Sequence, residues 1–144
     1  MTTLYVAPGF APTPREVSFD EIQETLGIVS FAYPFDDPLV AIAFDDDGIA
    51  NHRPPNRTLN GQIIPGPFFI LSVTDDGKLT GLSPEAVEKY TSLFSIPESF
   101  PAGKWKVTTK VEDRPYAAVV HIVSEWVATD TTSQTSTAEK EAYP

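Results

Sequence analysis

The segment from residue 51 to residue 67 contains the side chains best suited to hold a ligand. It reads NHRPPNRTLNGQIIPGP and places Arg53, Asn56 and Arg57 around two consecutive prolines, with Gly66 a few residues later. Prolines stiffen the backbone, and a guanidinium offers a planar fork of donors that matches a phosphate or a carboxylate. Glycine lets a ligand approach the main chain closely. We therefore predict Asn56, Arg57, Gly66 and Arg53 as ligand-binding residues in an ordered loop.

A structural role is the competing interpretation of the same residues. The side-chain oxygen of Asn56 could cap a turn while Arg57 pairs with a nearby aspartate. Polar residues in loops often stabilise the loop itself, so both interpretations stay open at the level of sequence.

Other reactive side chains lack the spacing that a known chemistry needs. Three aspartates at 45–47 precede Gly48, but an EF-hand would need a glutamate where Asn56 stands, so we expect a solvated turn. His52 and His121 are the only histidines, and the chain has no cysteine. No serine nucleophile motif or phosphate-binding glycine motif is present. We predict no catalytic residue, metal site or cofactor, and the sequence favours binding over catalysis.

The charge of the chain restricts its partners. It carries 10 basic and 20 acidic side chains, a net charge of −10. Residues 1–100 hold five basic and fourteen acidic side chains, which gives −9. Duplex nucleic acid and anionic membrane surfaces are poor partners for such a field. The acidic excess either keeps the protein soluble or forms a face that imitates nucleic acid and captures a basic partner.

Length, cysteine content and the N-terminal residues indicate a cellular setting. A chain of 144 residues suits one domain. Absence of cysteine excludes disulfides and thiolate metal sites and fits a reducing compartment. The opening MTTLYVAPGF lacks the features of a signal peptide, and no apolar run reaches the roughly 18 residues of a membrane span. We expect a cytoplasmic protein that does not enter membranes.

Two helices are predicted from their first turns. Ser18 and Glu21 have capping-box spacing, which predicts a helix over residues 19–26. Serine, proline and glutamate at 83–85 are typical of a helix start, and Pro97 stops the second helix.

Apolar runs of strand length predict the sheet. The predicted strands cover residues 3–7, 15–17, 28–33, 39–44 and 68–73. The connection at 34–38 is too short for a crossover helix, so the strands on either side must pair antiparallel. The predicted fold class is α+β: a mainly antiparallel sheet of roughly five to seven strands, with two helices on one face and a C-terminal β-hairpin.

Residues 101–127 form the predicted hairpin. Lysines alternate with apolar residues from 104 onward, and Trp105 and Trp126 bracket the segment with Tyr116 between them. Exposed aromatic residues are typical of interfaces, so these three are the predicted interface residues. The lysines, an acidic body and a free strand edge together predict a homo-oligomer formed through the hairpin. We assign residues 1–128 to one domain and 129–144 to a disordered tail.

Several short motifs in order resemble one protein family. DDDG at 45–48, RPPNR at 53–57 and IIPGPFFI at 63–70 are similar to motifs of the phage and plasmid proteins known as domain of unknown function 3846. Motifs at 8–9, 23–27 and 82–85 fit as well. The resemblance covers about residues 3–95 and makes 101–127 an addition to the family-like core. It implies a setting in mobile elements and brings no catalytic residues.

Three functions follow as hypotheses. The first is a small, non-enzymatic phage accessory protein that binds a host protein or a small nucleotide. Counter-defence by sequestering a host factor, or a nucleotide signal held at Asn56 and Arg57, is its concrete form. The second is an acidic mimic of DNA that blocks a host DNA-binding protein. The third is an enzyme with an unrecognised site.

Overall fold

The computed structural model describes residues 1–129 and divides the chain into two compact units, Met1–Ser99 and a second that begins at Phe100. That residues 1–128 make one domain stays a prediction. The predicted tail at 129–144 lies outside the described residues, apart from Thr129. Within the described part, no helix has the length and hydropathy needed to cross a bilayer.

The first unit is built on one antiparallel sheet. In chain order its elements are β1 (Thr2–Val6), β2 (Thr13–Glu16), α1 (Phe19–Leu26), β3 (Val29–Ala32), β4 (Val40–Asp45), β5 (Pro55–Leu59), β6 (Gln62–Pro65), β7 (Phe68–Val73), β8 (Leu79–Thr80) and α2 (Pro84–Leu93). Six strands form the main sheet in the order β2-β1-β7-β4-β3, with β8 also paired to β7. Every pairing in it is antiparallel, as predicted.

Strand β7 lies at the centre of this sheet, between β1 and β4. Phe68 and Ile70 point to one face and Phe69 and Leu71 to the other, and all four are buried. Because neighbouring side chains of a strand alternate between faces, a strand with large apolar side chains on both faces must be covered on both sides.

The two helices supply that cover from opposite sides. Helix α1 packs Ile22 and Leu26 against the face of Phe69. Helix α2 packs Tyr90, followed by Phe94, against the face of Phe68. The α+β class and the mainly antiparallel sheet are confirmed, but the prediction of two helices on one face is wrong. Since β7 is apolar on both faces, each face needs a helix.

Part of the segment at 51–67 forms a second, two-stranded sheet, β5–β6, where we predicted a loop. Its turn is Asn60-Gly61, and both residues have positive φ, 51° and 79°. A two-residue turn with two positive φ angles favours this dipeptide and matches the twist of the strands that it joins. Ile64 of β6 packs into the cluster on the α2 face of the main sheet.

The second unit contains the predicted C-terminal hairpin. Strand β9 (Gly103–Arg114) pairs antiparallel with β10 (Ala117–Ala128) along twelve residue pairs. Trp105 lies directly opposite Trp126, and the rings meet edge to face with centroids 5.3 Å apart.

Candidate functional site

Asn56 and Arg57 lie in the interior of the first unit, on β5. Asn56 is fully buried and Arg57 is 3% exposed. The Nδ2 of Asn56 donates to the backbone oxygens of Val6 at 2.8 Å and Gly66 at 2.9 Å. The Asn56 side chain therefore ties the end of β1 to Gly66, the residue that follows β6.

The guanidinium of Arg57 binds main-chain oxygens from two further segments. Its Nη2 donates to Phe10 at 2.7 Å and Phe94 at 2.9 Å, and its Nη1 donates to Asn56 Oδ1 at 2.8 Å and, more weakly, to Ala7 at 3.4 Å. Phe94 is the C-cap of α2, where the helix dipole is negative and favours a cation. Arg57 thus stabilises the end of α2 and holds the loop after β1 against it.

Arg57 is a desolvated cation. Burial lowers its pKa, and the negative charge of Glu98 partly offsets that effect. Among the described residues, no atom accepts a hydrogen bond from the buried Nε. Beside it lies a cavity of about 370 Å³. One of its walls is fixed by Glu98, whose carboxylate accepts from the Thr58 amide at 2.8 Å and the Thr58 hydroxyl at 2.6 Å.

Arg53 acts on the other helix. Its Nε donates to the buried carboxylate of Asp45 at 2.6 Å, and its Nη2 donates to the carbonyls of Thr25 at 3.2 Å and Leu26 at 3.4 Å. Those carbonyls belong to the last turn of α1. Gly66 has φ of 76°, and a Cβ placed there would collide with Cδ of Arg53. The glycine is therefore needed for the arginine to lie in this position.

The structure thus connects all four predicted ligand-binding residues, but it directs their polar groups inward. Neither helix carries a basic residue in its last turn, and the two arginines supply the missing positive charge from outside. These contacts support the structural interpretation, although Arg57 meets carbonyls rather than the expected aspartate. Their role as ligand-binding residues stays a prediction.

The turn at 45–47 is not uniformly solvated. Asp46 and Asp47 are exposed, but Asp45 is buried, so the prediction of a solvated turn is wrong for Asp45. Its carboxylate accepts hydrogen bonds from the Asp47 amide, from Asn51 and from Arg53. Burial would raise the pKa of Asp45, but these donors outweigh it and hold the pKa below its usual value. In residues 1–129, no cluster of three or more His, Asp or Glu side chains could hold a metal ion.

The hairpin of the second unit presents an apolar face to solvent. Val107 is 54% exposed, Val111 63%, Val120 59% and Ile122 75%. Cross-strand pairing places these side chains on the same side as the two tryptophans. We call this set the apolar face; it comprises Trp105, Val107, Val111, Val120, Ile122 and Trp126.

The three predicted interface residues differ in their positions. Trp105 and Trp126 close the open end of the hairpin, where Trp126 Nε1 also donates to the Pro101 carbonyl at 2.9 Å. Tyr116 is completely exposed in the turn between β9 and β10. The prediction did not include Val120 and Ile122, although the uncharged run at 117–124 was a visible signal.

The opposite face of the hairpin is charged. Lys104, Lys106 and Lys110 follow one another along β9 on that face, and Lys110 lies opposite His121. Hydrogen bonds from Arg114 and His121 lower the pKa of Glu112. One face of the hairpin is therefore apolar, and the opposite face combines the cations of β9 with Val119, Val123 and Val127 of β10.

Comparison with known proteins identifies the first unit. A family model described as a domain of unknown function (DUF3846) matches residues 1–95, which is 95 of the 144 residues. No curated protein and no solved structure matches the chain. The matched residues contain the six-stranded sheet, both helices, Arg53 and Arg57, and they end before the hairpin begins. The chain therefore belongs to the family of the domain of unknown function 3846.

Proposed function

We propose that this protein acts by binding another protein, and that the hairpin β9–β10 is the element that binds. The observation that carries the proposal is the apolar face, four of whose aliphatic side chains are more than half exposed. Isolated surface hydrophobic residues are ordinary, but a contiguous exposed set is typical of an interaction site.

Burial of this face would supply substantial binding energy. Each fully buried Val or Ile contributes roughly 1.5–3 kcal/mol relative to an exposed one. Ile122 and Val111 keep 75% and 63% of their surface in solvent, so most of that energy is still available to a partner. A two-stranded hairpin is marginally stable in water, and a partner would therefore also stabilise the hairpin itself.

A protein partner has more support than a nucleotide held at Arg57. Four hydrogen bonds of that guanidinium go to atoms of the chain itself, and the residue is almost fully buried. A ligand would have to displace these contacts and bear the cost of leaving main-chain oxygens unpaired.

The side chains of the hairpin indicate what kind of surface the partner should have. Its surface should be apolar where it meets Val107 and Ile122, with acidic groups at the margin to match Lys104 and Lys106. The finer form of the proposal is a cytoplasmic phage accessory protein that sequesters a host protein of this kind. Its support is the phage and plasmid setting that the sequence motifs imply.

Capture experiments with matched variants test the proposal. The full chain serves as bait for proteins from the cells that express it, beside Val107→Lys on the apolar face and Thr108→Lys on the charged face. These neighbouring residues gain the same charge on opposite faces. We expect the partner to be lost with Val107→Lys and kept with Thr108→Lys.

Equal capture by both variants would contradict the proposal. The salt dependence of binding distinguishes the alternative acidic-mimic function. Binding through exposed aspartates weakens strongly as the salt concentration rises, whereas binding through an apolar contact changes little. A partner that is released by moderate salt and by Asp46→Asn with Asp47→Asn, but not by Val107→Lys, would favour the mimic.

A further inference from the structure

We infer that two copies of this chain pair through the free edges of their β10 strands, forming a four-stranded antiparallel sheet. The inference deepens the proposed function, because it makes the binding surface a composite of two apolar faces. The strand that pairs with the free edge of β10 is therefore β10 of a second copy of this chain.

The two edges of the hairpin differ in how they are protected. Strand β9 carries four cations, Lys104, Lys106, Lys110 and Arg114. Charged residues, especially lysines, on an edge strand discourage another strand from pairing with it. In β10, by contrast, residues 117–124 contain no Lys, Arg, Asp, Glu or Pro. The unprotected edge is therefore β10.

Charge also decides which partner fits that edge. Pairing β9 with β9 of another copy would bring two rows of lysines together, which is unfavourable. Pairing β10 with β10 places an uncharged run beside an identical uncharged run. A strand that pairs antiparallel with its own copy satisfies twofold symmetry, the commonest symmetry of homo-oligomers.

Stability supplies the reason for pairing. Among the described residues, β9 and β10 pair only with each other. A sheet generally needs three or more strands with an apolar face to be stable, and two hairpins joined edge to edge provide four. Neighbouring strands lie about 4.8 Å apart, so the outermost strands are about 5 Å apart in one hairpin and about 14 Å apart in the four-stranded sheet. Val120 and Ile122 of both copies would then lie at the centre of one continuous apolar surface.

The absence of native cysteine permits a direct test of the pairing. Single cysteines are introduced into the full chain at each position from 119 to 124 on β10, and at Thr109 on β9 as a control. In a symmetric antiparallel pair, equivalent residues separate by about 7 Å for each step away from the axis. A disulfide needs Cα atoms within about 7 Å, so only one or two adjacent β10 positions should form a linked dimer under mild oxidation.

Sedimentation equilibrium of the full chain measures the same association without a cross-link. We expect a dimer, with the dissociation constant raised at least tenfold by Ile122→Lys on β10. Thr109→Lys lies directly opposite on β9 and should leave the dimer intact. Both tryptophans of the chain are in this hairpin, so tryptophan fluorescence shows whether each variant keeps the hairpin folded.

A monomer at all concentrations, or cross-links through Thr109→Cys rather than β10, would overturn the inference. These outcomes are separate from the proposed function, which is tested by Val107→Lys on the other strand. A monomeric chain that loses its partner on that change would refute the dimer alone. A dimer whose partner capture is indifferent to Val107→Lys would refute the proposed function alone.

Discussion

At the scale of single residues, Arg53 and Arg57 stabilise the ends of two helices that lie far from them in the sequence. Arg53 donates to the end of α1 on one face of the sheet, and Arg57 donates to the end of α2 on the other. Only three residues separate the two arginines in the sequence. One short segment therefore links both helices to the sheet, and its side chains should matter more for folding than their place outside the main sheet indicates.

Arg57→Ala should lower the free energy of unfolding by at least about 2 kcal/mol, because it leaves the buried Phe94 carbonyl and Asn56 Oδ1 without this donor and each such group costs about 1–3 kcal/mol. Arg57→Lys should recover little of the loss, since an ammonium lacks the planar fork. Urea denaturation measures both. Arg15→Ala is the control: this exposed guanidinium stacks on Tyr5 and should contribute less than about 1 kcal/mol. A stable Arg57→Ala protein that has lost its ligand would instead support the predicted binding site.

Asp45 makes the stability of the protein depend on pH. Its pKa is lower in the folded protein than in the unfolded chain, where it lies near 3.9. Its contribution is therefore present above about pH 4 and is lost as the pH falls through the folded pKa. We expect Asp45→Asn to be less stable at neutral pH and to lose less stability on acidification than the parent. Denaturation series from neutral pH to about pH 2 would show parallel curves if this expectation were wrong.

At the scale of secondary-structure elements, the sequence predicts those features that neighbouring residues determine. The capping box of α1 forms as predicted, with Ser18 Oγ accepting from the Glu21 amide and the Glu21 carboxylate accepting from the Ser18 amide. Antiparallel pairing of β3 and β4 follows from the short connection between them. These features depend on a few neighbouring residues, and the local signal is sufficient.

The features that sequence reasoning missed depend on distant contacts. Asn60-Gly61 was a hairpin signal, but the prolines around it favoured a loop over strands β5 and β6. The burial of Asp45 depends on Arg53, whose position depends in turn on Gly66. The separation of the helices follows from β7 being central, which requires β1 to pair with a strand more than sixty residues later.

Two glycine-to-alanine variants distinguish the stability cost of backbone strain from the cost of a steric collision. Gly66 and Gly77 both have positive φ, 76° and 85°, but only a Cβ at Gly66 would collide with a neighbour. Gly77→Ala should cost about 1–2 kcal/mol through backbone strain alone. Gly66→Ala should cost distinctly more, since it also displaces Arg53 from Asp45. Equal losses in thermal and urea denaturation would mean that the arginine can move without penalty.

At the scale of the whole molecule, the two units differ in where their hydrophobic side chains lie. The buried hydrophobic clusters of the described chain all lie within residues 1–99, and the acidic excess lies there too. The second unit contributes an exposed apolar face instead of a core. The proposed interaction therefore belongs to the second unit, whereas the buried core belongs to the first.

A chain that ends at Ser99 should therefore fold and keep the melting temperature of the first unit to within a few degrees. Circular dichroism follows this transition. In the full chain, fluorescence excited at tryptophan reports only on the hairpin, because Trp105 and Trp126 are the only tryptophans. A truncated chain that fails to melt cooperatively would show that the first unit needs residues after Ser99, in keeping with the single domain predicted over residues 1–128.

Because β7 is the central strand, the main sheet can be completed only after β7 has been synthesised. Strands β1 and β4 are not neighbours in the sheet, since β7 lies between them and pairs with both. Until Val73 has left the ribosome, β1 can pair only with β2, and β4 only with β3. The nascent chain then carries two incomplete hairpins, and the apolar residues of β4 are available to chaperones. Ribosome-bound chains stalled before β7 should accordingly be sensitive to protease, and protection should arise in one step once β7 and α2 have both emerged.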